Sequence, residues 1–198
     1  MGRRRQPPSQ TWRTFLTNHI GQIVAADFFV VPTATCRLLF VLVLLAHDRR
    51  RPRHVAVTAH PTAAWTAQQL REAFPWDEAP RYLIHDRDHV FDRLAATATT
   101  MGMEEVLTAP HAPWQNAFVE RRVGSARREC LDHVIVLNEA GLRTLMMLYG
   151  SHYHKSRTHL GLEKDAPDHR PVQPAAPGRI VSIPEVGGLH HHYERHAA

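Results

Sequence analysis

The sequence predicts a single α/β domain built on a mixed five-stranded sheet. Three antiparallel strands come first, two parallel strands follow, and helices cover both faces. Two observations predict this. Three apolar runs stand close together near the start, joined by connections too short for crossovers, which implies an antiparallel meander. The pattern then switches to helical stretches alternating with short apolar strands, which implies parallel pairing through helical crossovers. The composition agrees: 198 residues, 43% apolar and 22% charged, is enough chain to bury one sizeable core.

The elements follow in order. Trp12, Phe15 and Leu16 supply one apolar helical turn that can dock on the body. Ile23 to Val31 reads as a buried strand ended by Pro32, Arg37 to His47 as a second strand, and His54 to Thr58 as a third. Pro61 precedes a helix from Thr62 or Ala63 to Phe74, with Ala64, Leu70, Ala73 and Phe74 as apolar contacts. Arg81 to His85 is the fourth strand. Leu94 to Met101 is a short helix stopped by Gly102, and Glu104 to Leu107 is the fifth strand. Asn116 is placed to cap a long helix running to about His133. A last helix runs from about Glu139 to Tyr153. Beyond Ala166 prolines punctuate a tail, in which Arg179 to Ile183 and Leu189 to Tyr193 can pair across Gly187-Gly188. The chain therefore divides into a basic lead (1–19), a body (20–165) and a Pro-rich tail (166–198).

Charge and cysteine content narrow the function classes. There are 24 Lys+Arg against 19 Asp+Glu, a net charge of +5, and only Lys155 and Lys164 are lysines. Arginine suits phosphate because its planar fork donates paired hydrogen bonds, although GC-rich coding produces the same excess. Two cysteines, Cys36 and Cys130, exclude a disulfide framework and read as small core residues. No signal peptide follows the basic start, and the run from Leu38 to Ala46 is too short to span a bilayer, so the expectation is a soluble, cytoplasmic protein with no membrane partner. His190-His191-His192 reads as an exposed polar stretch. His152, His154 and His159 lack cysteine partners and regular ligand spacing, which argues against zinc.

Three carboxylates stand where carboxylates are costly. Asp27 lies inside the first apolar strand, and a buried unpaired carboxylate costs several kcal/mol unless an arginine, hydrogen bonds or a cation compensates. Asp86 closes the fourth strand at its carboxyl end, where ligands of open α/β sheets gather. Asp88 is its rival for that role, and a plain turn residue is the bland reading of both. Glu120 lies in the first turn of the long helix, one position round from the apolar stripe of Val119, Val123, Ala126, Cys130 and Val134. There it also suits the helix dipole. Hard oxygen donors of this kind fit magnesium, and paired ions clamp both oxygens of a phosphoryl displacement. Arg121, Arg122, Arg127 and Arg128 follow Glu120 and are candidates to grip DNA phosphates; a solvated helix face is the alternative.

Several stretches together resemble the catalytic core of DDE-type transposases and retroviral-type integrases, in the bacterial insertion-sequence branch. They are Asp27-Phe-Phe-Val-Val-Pro-Thr, Ala46-His-Asp-Arg-Arg, Thr58-Ala-His-Pro-Thr, Trp65-Thr-Ala-Gln-Gln-Leu-Arg, His85-Asp-Arg-Asp, Ala112-Pro-Trp-Gln-Asn-Ala-Phe-Val-Glu-Arg and Arg127-Arg-Glu-Cys-Leu-Asp-His. Their order covers roughly 12–165. The resemblance implies a ribonuclease H-like fold and an acidic triad binding two Mg2+ or Mn2+ ions. Asp27, Asp86 and Glu120 map onto that triad, ahead of Asp88, Glu104 and Glu105. It implies a DNA transposase or integrase, a polynucleotidyl transferase acting on element ends and target DNA as a homo-oligomer, associated with the nucleoid.

The chain departs from the pattern in three places. Asp86 and Glu120 are 34 positions apart, slightly closer than the family's habit, with the shortfall assigned to the Leu94 to Met101 helix. The tyrosine-asparagine…arginine-proline-histidine motif appears as Tyr153-His154-Lys155-Ser156-Arg157-Thr158-His159. Relatives carry a helix-turn-helix region before the core, for which the residues ahead of Ile20 leave no room; a separate helix-turn-helix subunit or a truncated remnant is the corresponding expectation. The alternative function is therefore an inactive remnant that binds DNA or partner subunits without cutting. A stand-alone ribonuclease or junction nuclease is a third reading, since fold alone does not fix chemistry.

Overall fold

The computed structural model describes residues 11–75, 78–110, 112–171, 173 and 178–196. The basic stretch before Thr11 and most of the proline-rich stretch before Gly178 lie outside the described residues. The first element is helix α1, Trp12–His19, whose N-cap Thr11 accepts from the Thr14 N–H. Strands β1 (Ile23–Pro32), β2 (Leu38–Ala46) and β3 (Arg51–Thr58) form the antiparallel meander. Helix α2 (Ala63–Ala73) crosses to β4 (Tyr82–His85), and helix α3 (Leu94–Thr100) crosses to β5 (Glu104–Leu107). Both β4 and β5 run parallel to β1, and the sheet order is β3-β2-β1-β4-β5. Helices α4 (Ala117–Glu129) and α5 (Glu139–Lys155) follow, and a hairpin of β6 (Arg179–Glu185) and β7 (His190–His196) ends the described chain. The expected five-stranded mixed sheet, with its three antiparallel and two parallel strands, is present.

The alternation of side chains along β1 divides the core in two. Ile23, Ala25, Phe29 and Val31 face one side, where Val119 and Ala126 of α4, Cys130 just after it, and Leu142, Met146 and Tyr149 of α5 cover them. Trp12, Phe15 and Leu16 pack against the same cluster, so α1 docks as its apolar turn predicts. Val24 and Ala26 face the other side, under Leu70 and Phe74 of α2 and Leu94 and Ala98 of α3. Leu42, Leu45, Leu83 and Ile84 are completely shielded from solvent. Truncating any of them to alanine is expected to cost about 2–5 kcal/mol.

Several expectations need correction. β3 begins at Arg51, earlier than His54, and tolerates Pro52 because it is an edge strand with a register shift in its partner between Leu44 and Leu45. α4 stops at Glu129, where Cys130 leaves helical geometry, and the chain then makes a short turn over Leu131–His133. Cys36 is not a core residue: it is exposed, with φ 59° in the turn between β1 and β2, whereas Cys130 is fully buried. The histidine stretch is not merely a polar surface. His190 donates from Nε2 to the Glu129 carbonyl at 2.7 Å and stacks on His152 at 4.3 Å, which seats the hairpin on α5.

Candidate active site

Asp27 has the parity of Ile23, Ala25 and Phe29, so its side chain faces the side covered by α4. β1 and β4 are paired from Ile23↔Tyr82 to Ala25↔Ile84. Carrying that register two residues further sets Asp27, in the middle of β1, level with Asp86, just past the carboxyl end of β4. Glu120 comes to the same place from the first turn of α4, next to Val119, which is fully buried on the sheet. The three expected acids are thus gathered by three elements. Among the described residues, no group of three or more His, Cys, Asp or Glu side chains is placed to hold a metal ion as it stands.

The electrostatics of Asp27 show how the acids share one field. Its carboxyl is raised to about 7, first by burial and then by the nearby negative charges of Asp86 and Glu120; the Phe28 N–H, donating at 2.8 Å, opposes the shift. A carboxylate in this position is matched by no arginine among the groups acting on it. The group that would relieve it is a hard cation, and the all-oxygen donor set fits magnesium or manganese.

Asp86 and its rival Asp88 share one local turn. Asp86 Oδ1 accepts from the Asp88 N–H at 3.1 Å, while Asp88 Oδ1 accepts from the Val90 N–H and caps the short turn His89–Phe91. Each carboxylate thus accepts one turn N–H, and what distinguishes Asp86 is that its charge acts on Asp27. A cleft of about 610 Å³ opens beside Asp86, lined also by Arg87, His89, Thr108, Pro110 and Asn116.

Asn116 does something the sequence did not suggest. It makes no cap hydrogen bond; its Nδ2 donates to the Ala26 carbonyl at 3.3 Å, tying the start of α4 to β1 one residue before Asp27. Only 7% of Asn116 is exposed, and its Oδ1 is buried without a protein partner. A cap and a cross-strand tie look alike in sequence, because the acceptor lies 90 positions away.

The expected phosphate-binding arginines divide. Arg121 and Arg128 are exposed, and Arg127 is exposed while donating to the Val30 carbonyl at 3.2 Å. Arg122 is a correction: it is only 2% exposed, with its guanidinium 4.7 Å from the Tyr149 ring and 4.1 Å from the Tyr153 ring. Burial pushes that guanidinium down, and it cannot reach DNA phosphate. The signal was present, since Arg122 stands three positions after Val119 and four before Ala126, inside the buried stripe. The His–Arg motif after α5 is also internal. Arg157 holds Glu129 from Nε at 2.7 Å and from NH2 at 2.6 Å, and His152 pairs with Glu185 at 2.6 Å.

With this geometry in place, the comparisons with known proteins can be read. A family model described as integrase core domain matches residues 101–167, the span that holds α4 and α5. Over 154 residues the chain is 27% identical to an uncharacterized 39.2 kDa protein of insertion element IS476 from Xanthomonas euvesicatoria. That stretch is 77% of this chain, and it spans about two fifths (41%) of the relative. The HTLV-2 integrase catalytic core domain in complex with magnesium, in its trimeric form, superposes with a TM-score of 0.55 at 12% identity, covering 74% of this chain and 93% of that one. A chain of the simian T-cell lymphotropic virus intasome in complex with PP2A regulatory subunit B56 gamma gives 0.59 at 12% identity, covering 88% of this chain and 66% of that one. At such identity the neighbours speak to the fold, which is the ribonuclease H-like one. The family model, the insertion-element relative and the shared fold together support a DDE-type transposase or integrase core.

Proposed function

We propose that this chain is a metal-dependent DNA transposase or integrase core. The observation that carries the proposal is the shared field of Asp27, Asp86 and Glu120 beside the carboxyl end of β4, with Asp27 raised to about 7 and no cation among the groups acting on it. In this reading Asp27 serves two Mg2+ or Mn2+ ions, while Asp86 and Glu120 each serve one. When bound, the ions supply an activated water and a counter-charge for the leaving oxygen. The reaction is hydrolysis of one phosphodiester at an element end, which frees a 3′-hydroxyl, and then attack of that hydroxyl on a target phosphodiester with departure of the target's own 3′-oxygen. No protein nucleophile is needed, because positioning and charge neutralisation dominate such chemistry. Arg121, Arg127 and Arg128 contribute sequence-independent phosphate contacts.

The proposed division keeps 20–165 as the core, with 1–19 and 166–198 as flanks; α1 and the β6–β7 hairpin pack on that core rather than standing apart from it. DNA at element ends and at the target is the proposed partner, with self-association on it, as the dimeric and trimeric forms of the HTLV-2 core suggest. A nucleoid location follows from a DNA substrate. No feature of the described residues supports a separate helix-turn-helix subunit. Among the described residues, no helix is long and apolar enough to cross a membrane.

The test is direct. Asp27→Asn, Asp86→Asn and Glu120→Gln are each expected to abolish magnesium-dependent strand transfer while leaving DNA binding largely intact. Full activity in any one of them overturns the triad. The second reading, a remnant that binds DNA without cutting, draws on the short Asp86–Glu120 interval and the seven-residue α3 inside it. A wild-type chain that binds DNA and takes up no ion in calorimetry would establish that reading instead.

A further inference from the structure

His85 is a buried polar residue in an apolar layer. It ends β4, is 2% exposed, and lies with its ring 4.8 Å from Phe91, on the sheet face opposite α4. Phe28 packs against Phe91 as well, with ring centroids 5.5 Å apart and the rings tilted. A leucine would pack here at less cost, because a buried imidazole must find hydrogen-bond partners. His85 has one such partner and one close carboxylate. Its Nδ1 lies 2.6 Å from the carbonyl oxygen of Asp86. A carbonyl only accepts, so Nδ1 carries the proton and donates. Its Nε2 lies 2.8 Å from Glu105 Oε1 on β5, a close contact that runs off the line of an ideal ring hydrogen bond. With the Nδ1 proton committed to the Asp86 carbonyl, Glu105 attracts the ring from the neighbouring strand when Nε2 is protonated as well.

The consequence falls on Asp86. At this residue the chain leaves the sheet, and its side chain is exposed, so nothing in the packing holds it. Two hydrogen bonds do. The Asp88 N–H holds Oδ1, and His85 Nδ1 holds the carbonyl, which sets the peptide plane after Asp86. Among the described residues Oδ2 makes no hydrogen bond, which leaves it to face a cation. We propose that His85 is a positioning residue for Asp86, braced by Glu105 so that the Asp86 peptide and carboxylate keep one orientation toward the bound ion. The proposal rests on the metal-site reading above. Groups behind metal ligands commonly act in this way, and their loss typically weakens metal affinity roughly 10- to 100-fold.

The experiment is a calorimetric manganese titration of the full chain without DNA, with near-ultraviolet circular dichroism to confirm folding. His85→Leu fills the apolar layer but lacks a donor, and is expected to bind the ion roughly 10- to 100-fold more weakly. Asparagine places an amide N–H where Nδ1 stood, so His85→Asn is expected to recover most of the affinity. Glutamine places its amide where Nε2 stood, so His85→Gln is not. Glu105→Gln should weaken binding in the same direction but less. A folded His85→Leu with wild-type affinity overturns the proposal, as does equal recovery by asparagine and glutamine. If His85→Leu does not fold, the contrast between asparagine and glutamine decides. A wild-type chain that takes up no ion overturns the triad reading itself, an outcome distinct from failure of the His85 assignment alone.

Discussion

Glu129 and Asp27 are carboxylates on the same side of the sheet, and they are treated in opposite ways. At the seam of α4 and α5, Glu129 receives two guanidinium hydrogen bonds from Arg157 and the Tyr149 hydroxyl at 2.8 Å. Burial pushes its carboxyl up, but those donors outweigh burial and hold it below the ordinary range. Asp27 has only the N–H of its own neighbour, and its carboxyl rises to about 7. The chain has arginine in excess and places one, Arg122, deep in the same seam. It supplies none to Asp27. The protein satisfies a buried acid where the acid is structural and leaves another acid waiting where a cation can arrive from outside.

Removing the metal and varying the pH gives the largest contrast. Burial pushes His47 down to about 4, from an ordinary value of 6.5. The unfolded chain therefore takes up that proton before the folded one. His47's contribution is full above pH 6.5 and is lost as pH falls toward 4, about 3 kcal/mol in all. Asp27 runs the other way: its folded value lies above its unfolded one, so its contribution is present at low pH and is lost as pH rises toward 7. In metal-free wild type the two trends oppose each other between pH 4 and 6.5. Asp27→Asn removes one of them. His159 is pushed down to about 4 as well and adds to the loss at His47, so urea melts of that variant should lose clearly more stability between pH 7 and pH 4 than wild type does. Equal slopes would break the contrast.

At the seam the expected effect is smaller and of one sign. Glu129→Gln leaves Arg157 and the Tyr149 hydroxyl with a weaker acceptor and should cost about 2 kcal/mol at neutral pH, read from urea midpoints. Metal-free Asp27→Asn should instead match or exceed wild-type stability at pH 8. The smallest effects sharpen the division of the arginines. Arg121→Ala and Arg128→Ala should each lower the slope of log affinity for DNA against log salt by about 1. Arg122→Met should leave that slope unchanged and the stability near neutral, because it removes a buried charge without opening a cavity.

How much of this was legible in the sequence depends on the distance over which each cause acts. The strands, the two crossovers and the docking of Trp12, Phe15 and Leu16 follow from local periodicity. Asp27 and Asp86 were marked as costly carboxylates by their places in or after apolar strands, but their meeting was implied only by the family resemblance, because it depends on the register of β4 beside β1. Asn116 was misread because a helix cap is a local prediction, whereas its actual acceptor is the Ala26 carbonyl. Arg122 was misread by charge when the helical stripe already placed it inward. The stacking of His190 on His152 joins residues 38 positions apart across a proline-rich stretch, and no window of sequence contains both. His85 was quoted as part of a motif, yet its partner Glu105 comes from β5, so its brace exists only once the sheet has formed.

The parallel seating of β4 beside β1 has a consequence for biosynthesis. Residue 27 emerges from the ribosome long before residue 86, and Glu120 on α4 comes later still. Until α4 has crossed the sheet, a nascent polypeptide carries at most two of the acids, with no helix to bring the third. Under the proposed function, the acidic triad therefore assembles only after synthesis has passed α4.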